Sequence, residues 1–219
     1  MKLKSFLNKI LDFLYYRKCY LCSKKCLDIS ICKECLDNIF SDINFNKIQK
    51  FNTIIYSGML YEGDIVKIIR ALKYHKKSEF AEILAEIIIK TIENYKIDLS
   101  NFIVCPVPIH QNRFKKRKYN HMELVAKKIA EYFNLQLSSD YLARIKDTAP
   151  LYKLSLQERR KIIKGAFIAS NDLKDKKILL LDDIITSGST INELSQIIQE
   201  NEPQDFIVIA ACRSGNYKF

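Results

Sequence analysis

Apolar positions along this chain change period several times, and each change marks an element. Over residues 1–18, Leu3, Phe6, Leu7, Ile10, Leu11 and Leu14 recur at helical spacing, broken by Asn8, Lys9 and Asp12; an amphipathic helix is predicted. FSDINFNKIQK, residues 40–50, is charged and aperiodic and reads as a weakly structured boundary. FNTIIYSGMLY then reads as extended chain. Ile65, Ile68, Ile69 and Leu72 set a helix running to Tyr74, and a second helix over 78–95 opens with Ser78 as its cap.

From residue 100 the pattern alternates. FIVCPVP is an unbroken apolar run, as in a strand covered on both faces, and Pro106 and Pro108 stop it. A helix over 123–133, a short strand over 165–169, a buried strand over 177–182, a helix over 191–199 and a buried strand over 205–212 follow. Strand–helix alternation of this kind predicts a doubly wound α/β domain on a parallel sheet. At 219 residues the chain has room for one such core and a small accessory module. The expected layout is a helix over 1–18, a cysteine module over 19–45 and the α/β domain over 51–219.

Charge narrows the partners. Against 25 acidic residues stand 36 Lys and Arg, a formal +11 that favours an anionic partner. The amino-terminal stripe is too short and polar to span a bilayer, and no small-residue cleavage site follows it. A cytoplasmic protein is expected, with peripheral contact of that helix with the inner face of the membrane as the sharper reading.

Five of the seven cysteines fall between positions 19 and 35. Cys19-x2-Cys22 and Cys32-x2-Cys35 each chelate from a tight turn, and four thiolates suit tetrahedral zinc. With four protein ligands the ion has no open position, so its expected role is structural. Cys26 would widen the first pair's spacing and is read as a bystander; Cys105 and Cys212 sit in apolar runs and read as small core residues.

The strand ILLL leads into Asp182 and Asp183, then Thr186-Ser187-Gly188-Ser189-Thr190, then a helix. A helix amino terminus offers unpaired N–H groups and a favourable dipole to an anion, and Gly188 lets the backbone curl around it. Two carboxylates just ahead can accept hydrogen bonds from vicinal ribose hydroxyls, which suits a sugar phosphate better than a lone phosphate. The bland alternative is a Ser/Thr-capped helix without a ligand. The glycine-rich signatures of nucleoside triphosphatases and dinucleotide folds do not occur.

ILLLDDIITSGST resembles the signature of type I phosphoribosyltransferases, which implies phosphoribosyl pyrophosphate with Mg²⁺ as ligand. In that signature the paired acids hold the ribose hydroxyls and the loop from Thr186 to Thr190 holds the 5'-phosphate. With YEGDIVKIIRALKYHKK, CPVPIHQNRFKKRKYNHMELVAKKIA, LARIKDTAPLYKLSLQERRKIIKGAF and the cysteine module in front, the chain resembles the ComF family of competence proteins from Cys19 to Arg213. The resemblance implies that the loop from Val107 to Asn120 faces the pyrophosphate, through Val107, Pro108, Arg113 and Arg117. It implies also that 144–160 is a mobile segment over the site, with Arg144 and Lys146 joining Asp182 and Asp183 in catalytic roles. Cations on both segments suit the charge that builds on pyrophosphate.

Lys73, Tyr74, Lys76 and Lys77, with Arg113, Lys115, Lys116, Arg117 and Lys118, read as a groove for single-stranded DNA, cations tracking the backbone and aromatics stacking on bases. The family's part in natural transformation supports that reading. Departures occur at Arg117-Lys118-Tyr119-Asn120-His121, where members often carry Arg-Gly-Phe-Asn-Gln, and at Leu151, where they often carry Gln; His121 and His75 are expected on the surface. The functional expectation is a competence protein that handles incoming single-stranded DNA and carries a phosphoribosyl pyrophosphate site. The alternative is a working phosphoribosyltransferase with an amine or base acceptor. A third reading is a scaffold contacting a helicase or membrane channel.

Overall fold

The computed structural model describes residues 17–26, 30–148 and 155–215, and the chain divides into two compact units, Met1–Ile43 and Asn44–Phe219. Most of the helix expected over 1–18 lies outside the described residues, but its last two positions are extended, as strand β1 (Arg17–Lys18). β1 pairs antiparallel with β2 (Lys25–Cys26). The turn between them closes when Cys19 N–H donates to the Lys24 carbonyl at 2.8 Å. Helix α1 (Lys33–Ser41) follows, with Cys35 and Ile39 on its buried face.

In the second unit β3 (Ile43–Lys50) and β4 (Thr53–Leu60) are joined by Phe51 and Asn52. Both turn residues have positive φ, 55° and 57°, the two-residue geometry whose twist matches an antiparallel hairpin. The charged stretch expected to be weakly structured is therefore an edge strand, whose exposed Lys47 helps keep the edge from pairing further. Then come α2 (Asp64–Tyr74), a 3-10 turn (Ser78–Phe80) and α3 (Ala81–Asn94). Ser78 is not the cap expected of it, because neither the turn nor α3 has a side-chain cap bond.

The remainder runs β5 (Phe102–Pro106), α4 (Gln111–Arg117), α5 (His121–Phe133), β6 (Gln136–Leu137), β7 (Leu142–Arg144), α6 (Leu156–Ile163), β8 (Phe167–Ala169), β9 (Lys177–Ile185), α7 (Ser189–Gln199) and β10 (Asp205–Arg213). The main sheet has the order β3-β4-β10-β9-β5-β6. Its pairs from β4 to β6 are all parallel, so the sheet is mixed but mostly parallel. The short strand expected over 165–169 does not join it. β8 pairs antiparallel with β7 in a separate two-stranded sheet.

Strand alternation builds two cores. Ile178 and Leu180 of β9, Val208 and Ala210 of β10, and Ile103 and Cys105 of β5 pack with Ile191, Leu194 and Ile198 of α7. The intervening Leu179, Leu181, Val104, Ile207 and Ile209 are also buried and point to the other face, which α3 and α5 cover. Each fully buried Leu or Ile contributes about 1.5–3 kcal/mol. Gly58 of β4 marks the closest approach of α3, since a Cβ there would meet the Ile87 and Thr91 side chains.

This order decides where a ligand can reach. From β5 the chain crosses outward to β6, whereas from β9 it crosses through α7 to β10 on the other side. The β5–β9 boundary is thus a topological switch point, and a crevice opens beyond the carboxyl ends of these strands.

Candidate functional site

β9 does not stop at the acids. It continues through Asp182 and Asp183 to Ile185, and the loop 186–188 then turns into α7. Gly188 takes the left-handed conformation at φ 70° just ahead of the helix. Thr186, Ser187, Gly188, Ser189 and Thr190 line one cup together with Asp182, a small space of about 20 Å³ that opens to solvent. The Ser187 and Ser189 hydroxyls lie 2.9 Å apart and bond to each other. Rotatable hydroxyls and a helix amino terminus facing one small space are what an oxyanion requires.

The two acids do not share that cup. Neighbouring residues of a strand point to opposite faces, so Asp182 turns to the α7 side and Asp183 to the side of α2 and α5. Asp183 is only 4% exposed. Its Oδ2 pairs with the Lys73 ammonium and accepts from His121 Nε2 at 2.7 Å. Arg117 lies 3.3 Å from His121 Nδ1, and because a guanidinium only donates, Nδ1 accepts and the proton sits on Nε2. Asp182 Oδ1 in turn accepts from the Asp183 backbone N–H at 2.9 Å.

Charges follow from these contacts. Burial alone would raise the Asp183 carboxyl, but Lys73 and His121 outweigh it and hold the group well below the usual carboxylate range. Burial and the neighbouring Asp183 charge push Asp182 upward. Burial pushes His121 down against the pull of Asp183, which agrees with a neutral imidazole. Burial opposes the Lys73 charge, yet Asp183 holds its ammonium above the ordinary value.

Several expectations change accordingly. Asp183 cannot pair with Asp182 on one ribose, since its carboxylate is occupied on the other face of the sheet. Lys73 is not a solvent-facing cation for DNA but the half-buried partner of Asp183. His121, expected on the surface, is 5% exposed. The Val107 N–H donates to the Leu181 carbonyl at 2.9 Å, and the Val107 carbonyl accepts from Asn120 Nδ2 at 3.3 Å. The Val107 main chain is therefore already bonded within the fold.

The segment expected as a pyrophosphate-facing loop contains helix α4, capped when His110 Nδ1 accepts from Asn112 N–H. Arg113 Nη2 donates to the Thr148 carbonyl at 2.9 Å and Arg144 Nη2 to the Thr148 hydroxyl, so the two guanidiniums converge. Burial, and next the Arg113 charge, lower Arg144 to about 10. Its guanidinium also lies 5.1 Å from the centre of the Phe167 ring. The Lys146 ammonium donates to the Lys164 carbonyl at 2.8 Å. Of the segment over 144–160, residues 149–154 and Leu151 with them lie outside the described residues. Beside Arg144 and Pro108 a groove of about 490 Å³ runs between Phe114, Glu123 and Leu142.

Among the cations expected to meet DNA, Lys76, Lys115, Lys116 and Lys118 are exposed, and Lys77 pairs with Glu79 at 3.5 Å. Tyr74, 59% exposed, carries the Arg117 guanidinium 5.2 Å over its ring. The Tyr119 hydroxyl ties this loop to α2 by donating to the Leu72 carbonyl at 2.6 Å.

In the first unit the sulfurs of Cys19, Cys22, Cys32 and Cys35 all lie within 4.8 Å of one another. A tetrahedral ion with metal–sulfur bonds of about 2.3 Å would set them about 3.8 Å apart, and Cys22 and Cys32 are at 3.6 Å. The group could hold a metal ion. Burial would raise the Cys19 thiol, but N–H groups of Cys22, Cys32 and Leu21 bring it down to about 6. Cys26 stands opposite Arg17 in β2, outside the group. Cys105 and Cys212 are buried in β5 and β10, and burial pushes Cys105 up to about 12, leaving it inert.

A cup formed by strand, Asp, hydroxyl-rich turn and helix, at the switch point of a mostly parallel sheet, defines the type I phosphoribosyltransferase fold. Residues 123–218 match the phosphoribosyl transferase domain model. This domain and the relatives that follow support the ComF family for the chain. It is 26% identical to the DNA utilization protein YhgH of Escherichia coli O157:H7 over 158 residues, 70% of this chain and 69% of that one. It is 30% identical over 100 residues to competence protein F of Haemophilus influenzae, 44% of each chain. It is 28% identical over 188 residues to competence protein ComFC of Streptococcus pneumoniae, 84% of this chain and 72% of the other.

Proposed function

We propose that this protein serves DNA uptake in competence, in the cytoplasm, and binds phosphoribosyl pyrophosphate at the β9–α7 cup. The observation that carries the ligand is the cup itself, with five loop residues and Asp182 around one small space beside a helix terminus. The loop takes the 5'-phosphate and Asp182 accepts from the ribose hydroxyls. Arg113 and Arg144 stand on the diphosphate side. Asp182 would hold the Mg²⁺ that comes with the ligand, and the ion would supply neutralising charge. Calorimetric titration with phosphoribosyl pyrophosphate and Mg²⁺ should show saturable binding. Asp182→Asn should weaken it about ten- to a hundredfold, the range for a hydrogen bond to a charged group. Absence of binding to the wild type ends the reading.

The DNA role rests on the relatives' names and on the exposed cations around Tyr74. Affinity for an oligothymidylate should fall steeply with salt. Replacing Lys115, Lys116 and Lys118 together by Ala should reduce the log–log salt slope by about 0.7 for each phosphate no longer neutralised. Arg117 is left out of that test because it serves His121. Salt-independent binding counts against the reading. Among the described residues no helix is long and apolar enough to cross a membrane. For the four cysteines we propose structural zinc.

One observation favours the second reading, a transferase. The groove of about 490 Å³ beside Arg144 has the size of a small-molecule pocket and room for an acceptor. Release of pyrophosphate with a panel of amines and bases, abolished by Asp182→Asn, would establish it.

A further inference from the structure

The face of β9 turned away from the cup carries an arrangement that the ligand reading does not use. Asp183, Lys73 and His121 converge there from three separate elements: β9, the end of α2 and the first turn of α5. Two donors on one oxygen of a buried carboxylate leave it little freedom to rotate. The arrangement continues outward, since Arg117 holds His121 Nδ1 at 3.3 Å and stacks on Tyr74, while Tyr119 fastens the same loop to Leu72.

What this clamp does for the cup runs through one main-chain group. The Asp183 N–H donates to Asp182 Oδ1 at 2.9 Å, so the orientation of the Asp183 peptide sets which way the Asp182 carboxyl faces. Asp182 is also the acid that lines the cup. We propose that Lys73 and His121 are positioning residues for the sugar subsite. By fixing Asp183 on the far face of the strand they fix its amide, and the amide orients the Asp182 carboxyl toward the ribose hydroxyls. The second acid of the pair thus serves the ligand without touching it. This proposal rests on the reading of the cup as a sugar-phosphate site.

The test separates the sugar increment from phosphate binding. Inorganic phosphate reads the loop alone, and ribose 5-phosphate reads the loop together with Asp182. Both dissociation constants are measured on the same protein, so their ratio does not depend on how much of a sample is folded. Wild type should bind ribose 5-phosphate more tightly than phosphate. In His121→Leu that advantage should shrink about tenfold, the scale of one hydrogen bond to a charged group, with phosphate affinity kept. His121→Gln, whose amide can donate to Asp183 from a similar place, should restore most of the advantage. Lys73→Met should resemble His121→Leu.

An advantage undiminished in His121→Leu and Lys73→Met overturns the proposal and leaves the sugar-phosphate site standing. A Gln variant as impaired as the Leu variant also overturns it, because bulk rather than the donated bond would then be at issue. Wild type that binds phosphate with no gain from the ribose removes the sugar reading and this proposal together. Wild type that binds neither probe removes the cup.

Discussion

Replacing Lys73 by Met should cost about 3–5 kcal/mol of folding stability, because it strands a buried carboxylate without its ammonium partner. For a domain of this size each kcal/mol lowers the melting temperature by about 2–4 °C, a loss easily read by calorimetry. The deficit should depend on pH in a defined direction. In the wild type the Lys73 charge helps keep His121 neutral. In the variant that repulsion is gone and Asp183 remains, so the imidazole pKa moves up from its burial-depressed position in the wild type. A depressed histidine costs stability as pH falls through its unfolded pKa, and the variant, less depressed, loses less there than the wild type. The variant should therefore be closer to wild type at about pH 6 than at about pH 8. A deficit that is equal at both values, or larger in acid, contradicts the assigned contacts.

The Asp183 carboxyl itself, depressed in the folded protein, contributes stability above its ordinary value near about 3.9 that is lost only as pH falls through the folded value. Lys73→Met should move that acid transition upward. An unfolding titration monitored by circular dichroism would show the shift.

Removing metal should have the largest effect on the first unit. Among its described residues the buried apolar side chains are Cys19, Ile31, Cys35 and Ile39, two of them thiols of the proposed metal site. So small a core does not hold a fold by itself. Structural zinc in comparable modules contributes apparent free energies of about 10–16 kcal/mol. Chelation should release about one zinc per chain and expose the four thiols to alkylation. Cys22→Ser should bind zinc poorly, whereas Cys26→Ser should retain it, since Cys26 stands outside the group. A chain that keeps its thiols protected after prolonged chelation would refute the zinc assignment.

The elements that local pattern could reveal were legible in advance. β5, β9 and β10 are built on unbroken apolar runs, and α2, α5 and α7 repeat at helical spacing; all emerge within a few residues of expectation. The grouping of the four cysteines was legible because two turns, each with its own cysteine pair, leave few ways to arrange four sulfurs. The hydroxyl-rich loop was legible because strand, Gly188 and helix follow one another directly in the chain. Asn120 could have been recognised as the cap of α5, since its side chain accepts from the Met122 N–H and such residues commonly precede a helix.

Other features had no local signal. The edge strand β3 is half solvated and weakly patterned, and only pairing with β4 makes it a strand. β8 resembles a core strand in composition, yet its partner β7 lies far away in the chain. Lys73 and His121 look like surface residues beside other lysines. Their burial comes from α2 and α5 arriving over the same point of β9, a meeting of segments 47 or more residues apart.

What the chain order alone determined is therefore the type of fold, the hydroxyl-rich loop and the cysteine group, because each rests on neighbours in sequence. Only the tertiary structure decided that Asp182 and Asp183 part company. Pleating turns adjacent side chains to opposite faces, and what awaits each acid, an open cup or a half-buried lysine with a buried histidine, is set by helices distant along the chain.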